Sequence, residues 1–163
     1  MSKKIFITGG AGYIGTRMVE YFIKLGNFVT VYDACYFGSN HLPHSHNSFR
    51  LIKGDIRDIT KLSKSCIGHD IFIHLACISN DASFELDENL SKSINYDCFE
   101  DIVVAAKKNK IKRFIYASSS SVYGVSNQKN VTEEHQLVPL TLYNKYKGLC
   151  EPILKKHTNN DFI

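Results

Sequence analysis

Short apolar runs recur along the chain, and each one is followed by a stretch with helical periodicity. The runs fall at residues 4–8, 28–32, 49–53, 70–75 and 112–117, and polar or turn residues bound each of them. Near-continuous Ile, Phe and Val are typical of parallel strands that are buried on both faces. Strands that alternate with helices predict an α/β fold built on a doubly wound parallel sheet.

Two predicted helices have a clear apolar face. The first covers residues 13–25 and ends before Gly26, and its expected buried positions are Ile14, Met18, Val19, Phe22 and Ile23. The second covers residues 88–108 and closes with Lys and Asn, and its apolar positions are Leu90, Ile94, Phe99, Ile102, Val103 and Ala106. The spacing predicts one continuous helix across residues 88–108.

Composition narrows the class of protein. The chain has 163 residues, of which 44% are hydrophobic, and this is enough for one domain spanning residues 1–163. Its net charge is +4, and the densest basic runs, at residues 107–113 and 155–157, fall where helices should end. Cations there stabilise the helix dipole, so no nucleic-acid partner is predicted. No apolar run approaches the ~18 residues of a membrane span, so no membrane partner is predicted either.

The cysteines and histidines indicate neither disulfides nor a metal. The five cysteines are odd in number, widely spaced and free of C-x-x-C pairs. This fits a reducing cytoplasm, and the apolar run after Lys3 and Lys4 is too short for a signal peptide. His41, His44 and His46 lie in a segment with loop composition, and no nearby carboxylate or cysteine completes a ligand set.

Three glycines directly behind the first apolar run give the strongest functional signal. Gly9, Gly12 and Gly15 recur at every third position, and a helix is predicted to begin beside them. Gly9 permits a sharp turn, Gly12 allows close approach of a ligand, and Gly15 lets helix and strand pack closely. The free N–H groups and positive dipole end of that helix then face an incoming pyrophosphate. The pattern predicts a dinucleotide site.

An acidic residue, Asp33, follows the second apolar run, where a dinucleotide-binding fold requires one. Its carboxylate can accept hydrogen bonds from the ribose hydroxyls of the adenosine half, and it would repel a 2′-phosphate. No Arg or Lys follows Asp33 until Arg50. The sequence therefore predicts NAD rather than NADP as the cofactor.

A serine-rich strand end and a Tyr-x-x-x-Lys pair lie in the second half of the chain. Residues 118–121 are all serine, and Tyr143 precedes Lys147 by four positions. In a helix these two side chains share one face, so the ammonium can stabilise the phenolate and lower the pKa of Tyr143. A phenol tuned in this way can take a proton from an alcohol and return it.

Together these motifs resemble the extended short-chain dehydrogenase/reductase family, and specifically its NAD-dependent epimerase/dehydratase branch, which acts on nucleotide sugars. Further family elements are present: Gly-Asp-Ile-Arg-Asp at residues 54–58, His-Leu-Ala-Cys at 74–77, Asn95 in the long helix, and Val-Tyr-Gly at 122–124. The resemblance covers nearly the whole chain. It implies a Rossmann-type fold and an epimerase or oxidoreductase of carbohydrate metabolism.

The resemblance also implies a role for each matching residue. Asp55 is expected to contact the adenine amino group, with Ile56 packed on the ring. The predicted cofactor-binding residues are Gly9, Gly12, Tyr13, Ile14, Gly15, Asp33, Asp55, Ile56, Leu75, Ala76, Asn95, Tyr143 and Lys147. For Asn95, a plain structural hydrogen bond is an open alternative. The predicted catalytic residues are Ser119, Tyr143 and Lys147, and Ser119 is expected to bind the reacting oxygen.

The residues after Ser119 narrow the implied reaction. Family 4,6-dehydratases carry an Asp-Glu pair there, whereas this chain has Ser120 and Ser121. A hydroxyl is not acidic enough to replace these carboxylates, so epimerisation or simple oxidoreduction is expected instead of dehydration. In the implied reaction Tyr143 removes a proton from a sugar hydroxyl while hydride passes to NAD.

One departure from the family concerns length. Extended members usually continue with two further strands and a C-terminal substrate domain, and residues 161–163 resemble the opening of the next strand. We therefore expect a cofactor-binding half that lacks those strands and that domain. The alternative is a NAD-binding or interaction module without turnover, with a partner chain covering the bare sheet edge. The resemblance also implies a homodimer.

Overall fold

The computed structural model describes residues 2–127 and 129–163, and its centre is a sheet of five strands. The strands are β1 Lys4–Thr8, β2 Phe28–Asp33, β3 Phe49–Lys53, β4 Ile71–His74 and β5 Arg113–Tyr116. All are parallel, and their order is β3-β2-β1-β4-β5. The chain moves outwards from β1 to one edge and then crosses to β4, so a crevice opens at the carboxyl ends of β1 and β4. The predicted doubly wound parallel sheet is confirmed.

Helices cover both faces of this sheet. They are α1 Tyr13–Lys24, α2 Ile59–Ser65, α3 Asp81–Glu85, α4 Glu88–Lys92, α5 Phe99–Lys108 and α6 Leu142–His157. Alternate side chains of β1 pack on opposite faces, with Ile5 and Ile7 in the cluster beneath α1 and Phe6 in the larger cluster beneath α2, α5 and α6. All three side chains are 2% exposed or less. The prediction that the central strands are buried on both faces is therefore confirmed.

The prediction of one continuous helix over residues 88–108 is wrong. A π-helical turn at Ser93–Asp97 separates α4 from α5. The wider turn brings Asn95 inwards, where it is 3% exposed and bonds to the backbone of Ile78. The segments on either side of this turn each keep helical spacing, so the sequence pattern did not reveal the interruption between them.

Two positions expected in the core are exposed. Ile14 is 62% exposed because it lies in the first turn of α1, at the mouth of the crevice, where it can meet a ligand instead of the core. Leu90 is 40% exposed because the π-helical turn changes the angular register between α4 and α5. The remaining predicted face of α5 is buried, including Phe99, Ile102, Val103 and Ala106.

The outer edge of β5 receives the last residue of the chain. The N–H of Phe114 donates to the oxygen of Ile163 at 2.7 Å, and the N–H of Ile163 donates to the oxygen of Lys112 at 3.0 Å. One residue that bonds to two alternate residues of its neighbour is the pattern of parallel pairing. Ile163 thus lies where the sequence predicts the opening of a further strand.

Candidate active site

A cleft of about 690 Å³ lies at the carboxyl ends of the strands. It gathers most of the predicted site residues, namely Gly9, Gly12, Tyr13, Ile14, Gly15, Asp33, Asp55, Ile56, Leu75, Ala76, Tyr143 and Lys147. Ser119 and Asn95 are not part of its wall. The wall also contains residues not predicted as site residues: Ala11, Ala34, Tyr36, Phe37, Gly38, Gly54, Cys77, Ile78, Ser79, Ile94, Ala117 and Ser118.

The glycine turn between β1 and α1 is packed so tightly that side chains are excluded. Gly9 has a φ of +73°, and a Cβ atom there would lie 2.5 Å from the backbone nitrogen of Ala76. A Cβ atom on Gly15 would lie 2.6 Å from the Cα atom of Gly10. Gly12 caps α1 without any side-chain hydrogen bond, and the first residues of the helix line the cleft. This cradle fits the pyrophosphate of a dinucleotide.

Asp33 links the end of β2 to the glycine turn. One carboxylate oxygen accepts from the N–H of Ala11 at 3.0 Å, and the other accepts from the N–H of Cys35 at 2.7 Å. The second bond helps to hold Cys35 at a φ of +58°, which is unusual for a residue other than glycine. Asp33 thus stands beside the cradle at the position where the sequence predicts contact with a ribose.

Two aromatic residues follow this turn and were missed in the sequence analysis. Tyr36 and Phe37 line the cleft and are 70% and 95% exposed. Large apolar side chains with this exposure mark a surface that can receive a ligand. Their place directly after the strand that ends in Asp33, and just before Gly38, was the available signal.

Arg57 holds Asp55 on the other side of the cleft. The guanidinium Nε contacts the two carboxylate oxygens at 3.0 and 3.1 Å, and a terminal nitrogen donates to one of them at 2.5 Å. These hydrogen bonds lower the pKa of Asp55, so its carboxylate stays ionised. Arg57 also donates to the Ser93 hydroxyl at 3.1 Å, which joins this loop to the π-helical turn.

Asn95 supports the cleft wall from behind. Its Oδ1 atom accepts from the N–H of Ile78 at 2.8 Å, and its Nδ2 atom donates to the oxygen of Ile78 at 2.9 Å. Ile78 and its neighbours Cys77 and Ser79 line the cleft, whereas Asn95 does not. The geometry supports the structural hydrogen bond that the sequence analysis left open for this residue.

Tyr143 and Lys147 lie one turn apart on α6, and both line the cleft. Burial, with a smaller contribution from Cys77, raises the pKa of the Tyr143 phenol. Burial lowers the pKa of Lys147, whose ammonium donates a short hydrogen bond to the oxygen of Ala117. The Tyr-x-x-x-Lys spacing predicts a lowered pKa for Tyr143, but the net shift of this pKa is upward because burial is its largest cause.

Ser119 begins the 3-10 turn at Ser120–Tyr123, where its hydroxyl caps the turn. Its Oγ atom lies 2.6 Å from the Oγ atom of Ser121, and Ser121 in turn donates to the Oδ1 atom of the buried Asn144. Asn144 directly follows Tyr143 on α6. A chain of hydroxyl and amide groups therefore runs from Ser119 to α6, beside the cleft wall.

Two histidines of the segment at residues 41–46, for which no metal site is predicted, contact backbone oxygens. His41 Nε2 lies 2.8 Å from the oxygen of Ala11, and His44 Nε2 lies 2.7 Å from the oxygen of Ser39. Within residues 2–127 and 129–163, no group of three or more His, Cys, Asp or Glu side chains is arranged to hold a metal ion. In the same residues, no helix combines the length and apolar character needed to cross a membrane.

The comparison with known proteins decides the family. The model of the NAD-dependent epimerase/dehydratase family matches residues 5–161. This chain belongs to that family. A UDP-N-acetyl-α-D-glucosaminuronate decarboxylase from Bacillus cytotoxicus is 36% identical over 130 residues, which are 76% of this chain and 39% of that protein. A UDP-glucose 4-epimerase from Lactobacillus helveticus is 29% identical over 93% of this chain and 46% of its own length. The chain thus spans less than half the length of these curated relatives.

Solved structures of the family agree with this assignment. A UDP-N-acetylglucosamine 4-epimerase from Methanobrevibacter ruminantium, in complex with UDP-N-acetylmuramic acid, superimposes with a TM-score of 0.88 at 30% identity. The match covers 95% of this chain and 50% of that one. The WbmH enzyme of Bordetella bronchiseptica, in complex with NAD⁺, gives a TM-score of 0.84 at 28% identity, covering 96% and 53%.

Proposed function

We propose that this family member provides the NAD-binding and proton-transferring part of a nucleotide-sugar epimerase or oxidoreductase. The observation that carries the proposal is that Tyr143 and Lys147 line the same cleft as the glycine cradle. A phenol and an ammonium beside a dinucleotide cradle are suited to moving the proton of an alcohol. Relatives whose names specify UDP-sugars, and a family structure that contains NAD⁺, support this assignment.

We assign NAD binding to the cleft residues around the glycine turn and to those that end or follow β2, β3 and β4. The first amides of α1 would hold the pyrophosphate, Asp33 would accept from the adenosine ribose, and Asp55 with Ile56 would receive the adenine. Leu75 and Ala76 would run beside the phosphates and ribose. When bound, NAD supplies an acceptor for the hydride that leaves the sugar carbon. The preference for NAD over NADP follows from the carboxylate of Asp33.

Proton transfer is assigned to Tyr143. Because burial raises its pKa, the phenol is protonated at neutral pH and can donate to a keto oxygen. In the oxidising direction it is the phenolate form of Tyr143 that takes the proton of a sugar hydroxyl and becomes the phenol, and the positive charge of Lys147 on the same helix face would favour that form. Ser119 would hold the reacting oxygen. Neither Ser120 nor Ser121 replaces the acid-base pair of a dehydratase, so epimerisation or simple oxidoreduction is favoured.

A second candidate is a NAD-binding module without turnover. The position of Ser119 favours it, because this hydroxyl bonds to Ser121 and lies outside the cleft wall. In that case the cleft would bind NAD, but no sugar carbon would be oxidised. A cytoplasmic location and a homodimer complete the proposal on the basis of family resemblance, and light scattering of the purified chain tests the dimer.

Cofactor and sugar titrations separate the two candidates. We expect NAD to bind and a subset of UDP-, GDP- and dTDP-sugars to produce the near-ultraviolet absorbance of reduced nicotinamide. An epimerase returns the hydride to the sugar, so NAD binding with neither this signal nor interconversion of any sugar would favour the module. No binding of NAD would overturn both candidates. Asp33→Asn should weaken the preference for NAD over NADP, because it removes the charge that repels the 2′-phosphate.

Two tyrosine variants test the chemical role of Tyr143. Tyr143→Phe should lower the rate of nicotinamide reduction by at least about tenfold, when the rate is measured at a saturating concentration of NAD. Tyr146→Phe is the matched control, because Tyr146 lies on the same helix and packs against Phe84 and Tyr96 outside the cleft wall. A Tyr143→Phe rate within tenfold of the wild-type rate would reject the assignment.

A further inference from the structure

Lys147 is a buried cation without a carboxylate partner in the described residues. Lys147 is 4% exposed, and its ammonium forms no ion pair within residues 2–127 and 129–163. The ammonium donates to the oxygen of Ala117. Burying a charge without an ionic partner is costly, so other groups must offset the loss of hydration.

Tyr116, at the end of β5, contacts Lys147 at two places. The Nζ atom lies 4.3 Å from the centroid of the Tyr116 ring, which is within the range of a cation-π interaction. The Tyr116 hydroxyl donates to the backbone oxygen of Lys147 at 3.2 Å. The ring face thus attracts the end of the side chain, and the hydroxyl fixes the turn of α6 from which that side chain extends.

Tyr116 is itself held firmly. Its ring stacks on His74 with centroids 6.0 Å apart and an angle of 23°, and it packs on Phe99 at 4.8 Å. These two neighbours come from β4 and α5, so two elements pack against the ring that β5 carries. A rigid ring can define the position of the ammonium more closely than a mobile surface side chain can.

Five titratable groups around Lys147 are held in their neutral forms by burial. Burial lowers the pKa of His74 on β4 to about 3. Burial raises the pKa of the thiols of Cys77, which follows β4, and of Cys150 on α6. It also raises the pKa of Tyr143, on α6, and of Tyr116. The carboxylate of Glu151, one helical turn along α6, accepts from the Ser118 hydroxyl and forms no ion pair with Lys147 among the described residues. The face of Tyr116 therefore provides the negative electrostatic surface next to the ammonium.

We propose that Tyr116 is a positioning residue for Lys147, holding its ammonium with the ring face and its backbone with the hydroxyl. The inference rests on the proposed role of Lys147 in the active site. Tyr116 would keep the charge that assists proton transfer by Tyr143 at a fixed point in the cleft. Neither the Tyr-x-x-x-Lys pattern nor the glycine motif indicates this residue.

Three variants separate the ring from the hydroxyl and from general packing. Tyr116→Phe keeps the ring face and loses the hydroxyl, whereas Tyr116→Leu loses both. Phe114→Leu is the matched control, because Phe114 faces the same aromatic cluster from the same strand and packs on Phe72 and Phe99. Circular dichroism and thermal unfolding establish that each variant is folded before it is compared.

The measurement is the pH dependence of Lys147 acylation, read by mass spectrometry after brief treatment with an amine reagent. Only the uncharged amine reacts, so the midpoint reports how strongly the site favours the ammonium. Tyr116→Leu should shift the midpoint downward by about 0.5 to 1 pH unit. Tyr116→Phe and Phe114→Leu should stay close to the wild-type midpoint.

An unchanged midpoint in Tyr116→Leu, or an equal shift in Phe114→Leu, would overturn the proposal. If Tyr116→Leu does not fold, the wild-type protein provides the test. The ε-methylene protons of Lys147, assigned with Lys147→Met, should resonate upfield because they lie over the ring, and an ordinary shift would overturn the proposal. Neither readout requires NAD or turnover, so failure here is distinct from failure of the proposed function.

Discussion

The ammonium of Lys147 donates its hydrogen bond to the backbone oxygen of Ala117. This contact ties α6 to the chain directly after β5, and Ala117 lies two residues before Ser119. The same helix carries Tyr143 one turn earlier. The relative position of the three proposed catalytic residues therefore depends on how α6 is fastened to the end of β5.

A second hydrogen bond fastens the same two segments. The Ser118 hydroxyl donates to Oε1 of Glu151 at 2.5 Å, and Glu151 lies one helical turn beyond Lys147. We expect Glu151→Ala to lower the free energy of unfolding by about 1 kcal/mol, measured with urea. Glu151→Gln keeps an acceptor oxygen and should cost less. The double variant Ser118→Ala/Glu151→Ala should cost no more than the larger single change, and additive losses would contradict the pairing.

Gly9 and Gly26 allow a matched test of the cradle. Both have positive φ, +73° and +78°, but only Gly9 faces backbone atoms where a Cβ would stand. Gly26→Ala should therefore lower the free energy of unfolding by about 1 kcal/mol, the cost of the backbone conformation alone. Gly9→Ala adds a clash with Ala76 and should cost at least about 2 kcal/mol more, with weaker NAD binding. Equal losses in urea unfolding would show that the turn can relax.

His74 should make stability depend on pH. Burial lowers its pKa to about 3, whereas an unfolded His takes up its proton near pH 6.5. Between these values the unfolded state binds more protons than the folded state. The contribution of His74 is therefore complete above about pH 6.5 and is lost as the pH falls towards 3, by about 1.4 kcal/mol per pH unit.

Urea unfolding at about pH 7 and pH 5 measures this contribution. Acidification should destabilise the wild-type protein by about 2 kcal/mol more than His74→Gln, which cannot take up a proton. The pKa of His69 is also lowered by burial, so some dependence on pH will remain in both proteins. An identical loss in the two proteins would contradict the neutral, buried state of His74.

The sequence predicted those features that local chemistry determines. Three signals could be recognised because each lies within one short segment: the glycine spacing at residues 9–15, the acid at Asp33, and the four-residue step from Tyr143 to Lys147. The structure brings all of them to one cleft. Their functional roles remain predictions. The five strands were recognisable because parallel strands buried on both faces are rich in apolar residues.

Features that depend on contacts between distant segments could not be predicted. The π-helical turn exists where Asn95 reaches Ile78, and nothing within residues 93–97 announces that partner. The raised pKa of Tyr143 results from burial beside the loop after β4. The four-residue spacing from Tyr143 to Lys147 carries no information about that loop. Tyr116 likewise reaches Lys147 only because β5 and α6 meet in the fold.

Asn95 provides the last test, because its side-chain amide bonds to both the backbone N–H and the backbone oxygen of Ile78. Asn95 is 3% exposed and Ile78 is half-buried, so Asn95→Ala leaves both the N–H and the oxygen of Ile78 without these bonds. We expect the free energy of unfolding to fall by about 3 kcal/mol and the Ile78 amide to exchange its hydrogen faster. Asn89→Ala, at an exposed position of α4, is the control and should change the stability by less than about 0.5 kcal/mol. If Asn95→Ala left the exchange of the Ile78 amide unchanged, the cleft wall would be held by other contacts, and the π-helical turn would need another explanation.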